Sequence, residues 1–209
     1  MSDPDWLVWS REIQAIAQTG LAFSKDPYDR ERFLALQRLS ARIMAEHTGA
    51  EVGRIEGLFE AEQGYATPKL GVRGAVFDAE GRILMVRETV DEHRWTLPGG
   101  WADVNQTPAQ SVVREVFEES GYRVRAVKLA AVWDRARQAQ PPMPFSVVRL
   151  FFICALEGGA PATSLETSEV GWFAEAEIPA DLSVRRTSAA QIARMFAHRR
   201  EPGLATEFD

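Results

Sequence analysis

The hydrophobic period of this 209-residue chain changes near residue 69. Upstream, apolar residues recur every three or four positions. Downstream they form short runs rich in Val, Ile and Leu, broken by turn residues. A chain patterned this way needs a helical region followed by a sheet with covering helices. We therefore expect residues 1–69 to be a helical region for packing or dimerisation, and residues 70–209 to be the main domain.

In the first part, Trp6, Leu7, Ile13, Ile16, Ala17 and Leu21 predict an amphipathic helix, with Gly20 weakening its end. Asp26-Pro27 reads as an N-cap with proline at the first helical position. The following helix should turn Phe33, Leu36, Leu39, Ile43 and Met44 to one face. A short helix over 51–59 and a linker over 64–68 complete the region.

In the second part, 70–77 and 82–86 predict a hairpin around Asp78-Ala79-Glu80-Gly81. Leu97-Pro98-Gly99-Gly100 breaks the chain. A helix then runs from Thr107 to Glu119, with Thr107 as N-cap, Pro108 next and Gly121 as the stop. Long strands are expected over 124–133 and 147–155, a short one over 170–173, and a last helix over 187–198. The loop from Arg135 to Phe145 contains Pro141, Pro142 and Pro144 and should be irregular.

Composition narrows the function classes. Hydrophobic residues make up 45%, too many for a wholly disordered chain. No stretch is long and apolar enough for a transmembrane helix. The start, Met1-Ser2-Asp3-Pro4-Asp5, is acidic, unlike a secretory signal. The single cysteine, Cys154, excludes an internal disulfide and fits a cytoplasmic protein. Lys and Arg number 24 against 30 Asp and Glu, for a net charge of -6. Both parts carry -3, so neither is a basic nucleic-acid arm. Such a chain opposes a phosphate-bearing partner unless a cation intervenes. One exception is local. Arg185, Arg186, Arg194, Arg199 and Arg200 fall in a segment without acidic residues, which keeps an RNA-processing alternative open.

The informative chemistry lies in Arg114-Glu115-Val116-Phe117-Glu118-Glu119-Ser120-Gly121. On a helix Glu115, Glu118 and Glu119 are neighbours on one face. Three adjacent carboxylates repel unless something positive joins them. Mg2+ suits them, because it binds one or two carboxylates together with substrate phosphates. The competing reading is a solvated acidic helix face.

The segment from Gly100 to Tyr122 resembles the Nudix box: Gly, five residues, Glu, seven residues, Arg-Glu, an aliphatic, any residue, Glu-Glu, any residue, Gly, an aliphatic. Trp95-Thr96-Leu97-Pro98-Gly99-Gly100-Trp101 is similar to the family's entry into that box. Two positions depart from it. Gln106 stands where the box has its first glutamate, removing a charge and a possible partner for Arg114. Tyr122 stands at the last aliphatic position.

The resemblance implies an α/β fold, the Nudix α/β/α sandwich with a mixed sheet. It implies metal-dependent hydrolysis of a nucleoside diphosphate derivative by Mg2+ or Mn2+. It gives Glu118 and Glu119 as leading ligands, Gly99 as a carbonyl ligand, Glu115 as base or further ligand, and Arg114 as the residue holding the glutamates. A further acidic residue from a later loop would be Glu166 or Glu169. Trp101, Trp133 and Phe145 would lie near the site; Trp101 reads equally as core or as a base-stacking ring, and Trp133 as core. Arg135 and Arg137 could reach phosphate or ribose, with unpaired surface arginine as the default. His93, far from any other His or Cys, carries no zinc role. The whole chain, including Ile16 to Leu21 and Phe23 to Asp26, is similar to a bacterial subset with an N-terminal helical extension, associated with CDP-choline and ADP-ribose pyrophosphatase activity and with homodimers. Gln106 also leaves open a non-catalytic nucleotide sensor.

Overall fold

The computed structural model describes residues 3–209. Met1 and Ser2, part of the acidic start, lie outside the described residues. The chain forms two compact units. Among the described residues, one comprises 3–69 with 142–146, and the other 70–141 with 147–209.

The first unit is built on three helices, α1 (Asp5–Phe23), α2 (Pro27–Thr48) and α3 (Val52–Glu60). Asp26 caps α2 as its sequence predicts: its side chain accepts from the amides of Tyr28 and Asp29 at 2.9 and 3.0 Å. Gly49, at φ 69°, ends the helix in the left-handed region. Leu7, Ala41, Met44, Ala45, Ile55 and Phe59 form the core, with Phe145 packed against it.

The expected apolar faces need correction. The buried line of α1 is Leu7, Ser10, Gln14 and Ala17, while Ile16 is exposed. On α2 it is Gln37, Ser40, Ala41, Met44 and Ala45, and Leu39 is exposed. The two helices meet through small and polar groups. Ser10 and Ser40 hydroxyls lie 2.8 Å apart, and each reaches the other's carbonyl. These bonds satisfy the buried hydroxyls, so burial costs little. Gly20 does not weaken α1 either. A Cβ there would overlap the Phe33 ring, so the missing side chain is a packing notch.

The second unit holds a seven-stranded mixed sheet. Its strands are β1 (Lys69–Phe77), β2 (Ile83–Glu88), β3 (Arg94–Thr96), β4 (Tyr122–Asp134), β5 (Val147–Gly159), β6 (Thr167–Phe173) and β7 (Glu207–Phe208). The order is β3-β2-β1-β5-β4-β7, with β6 also pairing β2. Most pairs are antiparallel, and β7 runs parallel to β4. The very short β3 and β7 carry too few residues to show a period, and the sequence reading missed both.

Two helices cover the sheet, α4 (Pro108–Ser120) and α5 (Ala189–Arg200). Both start in a capping box, Thr107 with Gln110 and Ser188 with Gln191. Alternation along β1 shows how the sheet separates two cores. Val72 and Val76 pack with Val112 and Val116 of α4. Ala75, one residue out of phase, joins Ile192, Met195 and Phe196 of α5. Trp133 belongs to this second core, tilted against Phe151 at 5.0 Å, so its core reading holds. Gly74 permits the close approach of α4, because a Cβ there would stand 2.6 Å from a Val116 methyl.

Candidate active site

The loop after β3 is clamped to β1 by its backbone. Gly74 donates to the Pro98 carbonyl, Val72 to Gly100 and Ala102 to Leu70, each at 2.9 Å. Gly99 takes φ 143°, and a Cβ on it would overlap the Val72 carbonyl, so only glycine fits. At Gly100 a Cβ would lie 2.6 Å from a Glu115 oxygen, so a side chain there would displace that carboxylate. The Gly-Gly step thus leaves room for the carboxylates of α4.

Those carboxylates occupy three different settings. Glu119 is buried and accepts from the Gly99 amide at 2.8 Å. Burial pushes its pKa up to about 8, against the pull of Arg73 and the Gly99 N–H. Glu115 is buried, and burial raises its pKa while Arg114 opposes the rise. Glu118 is more open and ion-pairs with Arg114 at 2.6 Å. Arg114 also meets Glu115 and Asp103, both at 2.9 Å. Burial works against the Arg114 charge, but these carboxylates outweigh it and raise its pKa.

Gln106 keeps a role that its neutral side chain seemed to forfeit. Its amide oxygen accepts from Arg114 Nε and from the Ser111 hydroxyl, both at 3.3 Å. The missing negative charge comes from Asp103 instead. Asp103 is three residues upstream in a loop, and only its position beside Arg114 identifies it.

Glu88, at the end of β2, was also missed. It is fully buried, 3.0 Å from Arg186. Burial raises its pKa, opposed by Arg186 and Arg73. It carries one of the charges that reach Glu119.

The other expected residues divide. Trp101 is 47% exposed beside the Gly-Gly step, so its core reading fails and its ring is open to a ligand. Arg135 is buried, which corrects the surface default, whereas Arg137 is exposed. Glu169 is exposed and paired with Arg87 at 3.2 Å. Glu166 is exposed, and its charge reaches Glu88. His93 is exposed and lies 3.0 Å from the Ser168 hydroxyl. Phe145 packs in the first unit's core, under Lys69 at 5.2 Å.

The arginines of the C-terminal segment are not a free basic face. Arg186 meets Glu88, Arg194 pairs with Glu207, Arg200 pairs with Glu175, and Arg199 lies over the Phe77 ring at 5.5 Å. On the α5 side of the sheet, Arg149 is buried. Burial, and then Arg73, Arg135 and Arg186, push its pKa down to about 8.

Among the described residues, no three His, Cys, Asp or Glu side chains converge into a ready metal cage. The donor set still fits a hard divalent cation. Mg2+ needs only one or two carboxylates when phosphate oxygens complete its shell. Glu118 and Glu119 lie one turn or less from Glu115, and the glycines keep the space beside them clear.

Comparison with known proteins agrees with this geometry. Residues 67–196 match the NUDIX domain, and residues 4–59 match the UDP-X-like, N-terminal oligomerisation domain. A Bacillus subtilis protein with the provisional name ADP-ribose pyrophosphatase YjhB is 43% identical over 98% of this chain and 97% of its own. A solved ADP-ribose pyrophosphatase from Streptococcus suis is 36% identical, with a TM-score of 0.62 over 68% of this chain and all of that one. A solved UDP-X diphosphatase is 28% identical, with a TM-score of 0.62 over the whole of both chains. The loop, the helix and these likenesses converge: the chain belongs to the Nudix hydrolase family and is a pyrophosphohydrolase.

Proposed function

We propose that the protein hydrolyses the pyrophosphate bond of a nucleoside diphosphate derivative of the ADP-ribose or CDP-choline type, giving a nucleoside monophosphate and a phosphorylated moiety. The observation that carries this is Glu119 hydrogen-bonded to the Gly99 amide, with Glu115 lodged against Gly100. The names of the Bacillus and Streptococcus relatives favour the ADP-ribose type.

Glu118, Glu119, Glu115 and the Gly99 carbonyl would hold Mg2+ or Mn2+. A metal held there would supply neutralisation of phosphate oxygens and a lowered pKa for an attacking water. Glu115 serves as base or as a further ligand. Arg114 positions the carboxylates through charge-assisted bonds. Trp101 offers an exposed ring for the base. Arg135 would reach phosphate or ribose, and Glu166 or Glu169 would supply the later acidic residue. The decisive assay incubates the full chain with ADP-ribose, CDP-choline, NADH and a dinucleoside polyphosphate, with Mg2+, Mn2+ or EDTA, and identifies products. Metal-dependent release of a nucleoside monophosphate is expected. Inactivity on all four substrates overturns the proposal.

The same reading includes a homodimer formed through the first unit. Trp9, Ile16 and Phe23, spaced seven residues apart on α1, are 60%, 53% and 68% exposed. That spacing sets the three on one exposed face of α1, where a helix of a second copy would pack. Light scattering should give twice the chain mass, and Trp9→Glu with Phe23→Glu should give a monomer. A wild-type monomer at micromolar concentration overturns this part. A cytoplasmic setting also belongs to the proposal. It rests on the single buried cysteine, and no helix among the described residues is long and apolar enough to cross a membrane.

A further inference from the structure

The loop between β5 and β6 meets the C-terminal end of α4. A helix leaves its last four carbonyls without helical partners. On α4 the Phe117 carbonyl accepts from the Gly121 amide. The Ser120 carbonyl accepts from the Ala162 amide at 2.9 Å, and the Glu119 carbonyl accepts from the Thr167 hydroxyl at 2.8 Å. The loop lies close here: a Cβ on Gly121 would stand 2.4 Å from the Ala160 carbonyl oxygen. Thr167, the first residue of β6, is 1% exposed.

The Thr167 hydroxyl uses its whole capacity of one donor and two acceptor positions. It accepts from the Ser164 amide at 3.1 Å and lies the same distance from the Ser164 hydroxyl. Its own proton goes to the Glu119 carbonyl, which cannot donate, so Ser164 is the donor to Thr167 Oγ1. Ser164 Oγ in turn accepts from the Glu166 amide at 3.1 Å. One polarised chain of hydrogen bonds therefore runs from the Glu166 N–H through Ser164 and Thr167 to the Glu119 C=O. Bonds aligned in series reinforce one another. The Glu166 carbonyl is held as well. It accepts from the Thr89 amide at 2.8 Å and the Thr89 hydroxyl at 3.0 Å, one residue beyond Glu88. The peptide groups on both sides of Glu166 are thus fixed while the residue stays exposed. Glu169 differs, because Arg87 engages its carboxylate.

We propose that Thr167 is a positioning residue of the hydrolytic site. Its hydroxyl ties the loop that carries Glu166 to the backbone of Glu119, so the loop carboxylate and the metal-side carboxylate keep one spacing. This role rests on the pyrophosphatase reading, and of the two loop acids in that reading it selects Glu166. A helix end needs only some partner for its carbonyl, and water can be that partner. A buried hydroxyl whose acceptor positions are both taken by Ser164 also fixes where the loop stands. Such placement matters to rate, since a misplacement of about 1 Å can cost about a hundredfold.

The test compares the full chain with Thr167→Val, Thr167→Ser, Ser164→Ala and Thr206→Val. Thr206 also gives its hydroxyl to a backbone carbonyl, that of Leu129 at 2.7 Å, and serves as the stability control. Melting temperature is recorded for each. Below every melt, kcat and KM are measured on the best substrate of the panel, and Mn2+ affinity by calorimetry on EDTA-treated protein. Thr167→Val should lower kcat and weaken Mn2+ binding, each about tenfold or more, with a smaller change in KM. Thr167→Ser keeps the hydroxyl and should recover most of both. Ser164→Ala, at an exposed position, cuts the chain at its middle and should lower kcat in the same direction. Thr206→Val should leave kcat and Mn2+ affinity at wild type, whatever its melting temperature. Wild-type kcat and Mn2+ affinity in Thr167→Val overturn the positioning role and leave the pyrophosphatase reading standing. A loss that serine does not restore is a packing effect and also overturns the role. Should Thr167→Val fail to fold, wild-type kcat in Ser164→Ala overturns it. Turnover of no substrate by the wild type overturns the pyrophosphatase reading. Weakened Mn2+ binding in Thr167→Val then still upholds the tie to Glu119, and unchanged or absent Mn2+ binding overturns it.

Discussion

Arg114 sits among four acceptors, and the one the family pattern would supply is the one that has changed. Gln106 keeps the hydrogen bond, and Asp103 supplies the charge. We expect Asp103→Asn to lower kcat/KM by about 10- to 100-fold, the usual cost of removing a group that orients metal ligands. Gln106→Glu in that background should recover part of the loss. An unchanged kcat/KM in Asp103→Asn would show that Arg114 is held without it. Glu119→Gln should lose about a hundredfold or more in kcat, since metal-side charge stabilisation is worth several kcal/mol. Gln106→Glu alone should change kcat less, and the opposite ranking would refute these roles. The glutamates were legible because helical spacing places them together. Asp103 was not, because a loop residue has no period. Glu88 was hidden differently: one acidic residue after Ile83-Leu84-Met85-Val86-Arg87 reads as the wet end of a strand, yet the strand end is buried.

Element boundaries were read from caps and breakers more securely than faces were read from hydrophobicity. Asp26, Thr107 and Gly121 act locally, so their neighbours in sequence suffice to reveal them. Which side of α1 meets α2 is a tertiary matter, and close packing through Ser10, Ser40 and Gly20 won over the larger side chains. That choice leaves Trp9 and Ile16 outside, where a second copy can use them. On the sheet, Gly74 plays the corresponding part under α4. Gly74→Val should destabilise the second unit by about 1–3 kcal/mol through overpacking against Val112 and Val116. Urea unfolding followed by circular dichroism will measure it, and an unshifted midpoint would mean that α4 can move away freely.

For the molecule as a whole, acid acts in two directions: protonation suits the buried Glu88, Glu115 and Glu119, whose pKa values burial raises, and works against carboxylates that cations hold ionised. Glu207 is an informative case. Burial opposes its charge, but Arg194 and His198 prevail and hold its pKa below the ordinary 4.5. Its contribution is therefore present above about 4.5 and is lost as pH falls through the lower folded value. His198 is pushed below 6.5, first by burial and then by Lys128. The unfolded chain thus takes that proton first, and the stability His198 contributes begins to fall below about 6.5. The melting-temperature gap between the wild type and Glu207→Gln should narrow as pH falls below about 4.5, a difference that removes the opposite contributions of Glu88, Glu115 and Glu119 common to both. A gap that does not change with pH would contradict the Glu207 assignment. The notch at Gly20 bears on assembly in another way. It fixes how closely α1 and α2 approach, and in the proposed dimer it would set the angle at which the apolar seam meets a second copy. One base change in that codon gives alanine or valine and alters every seam contact at once, with the seam residues untouched. Partner choice in such a lineage can therefore drift through a site that no partner ever touches.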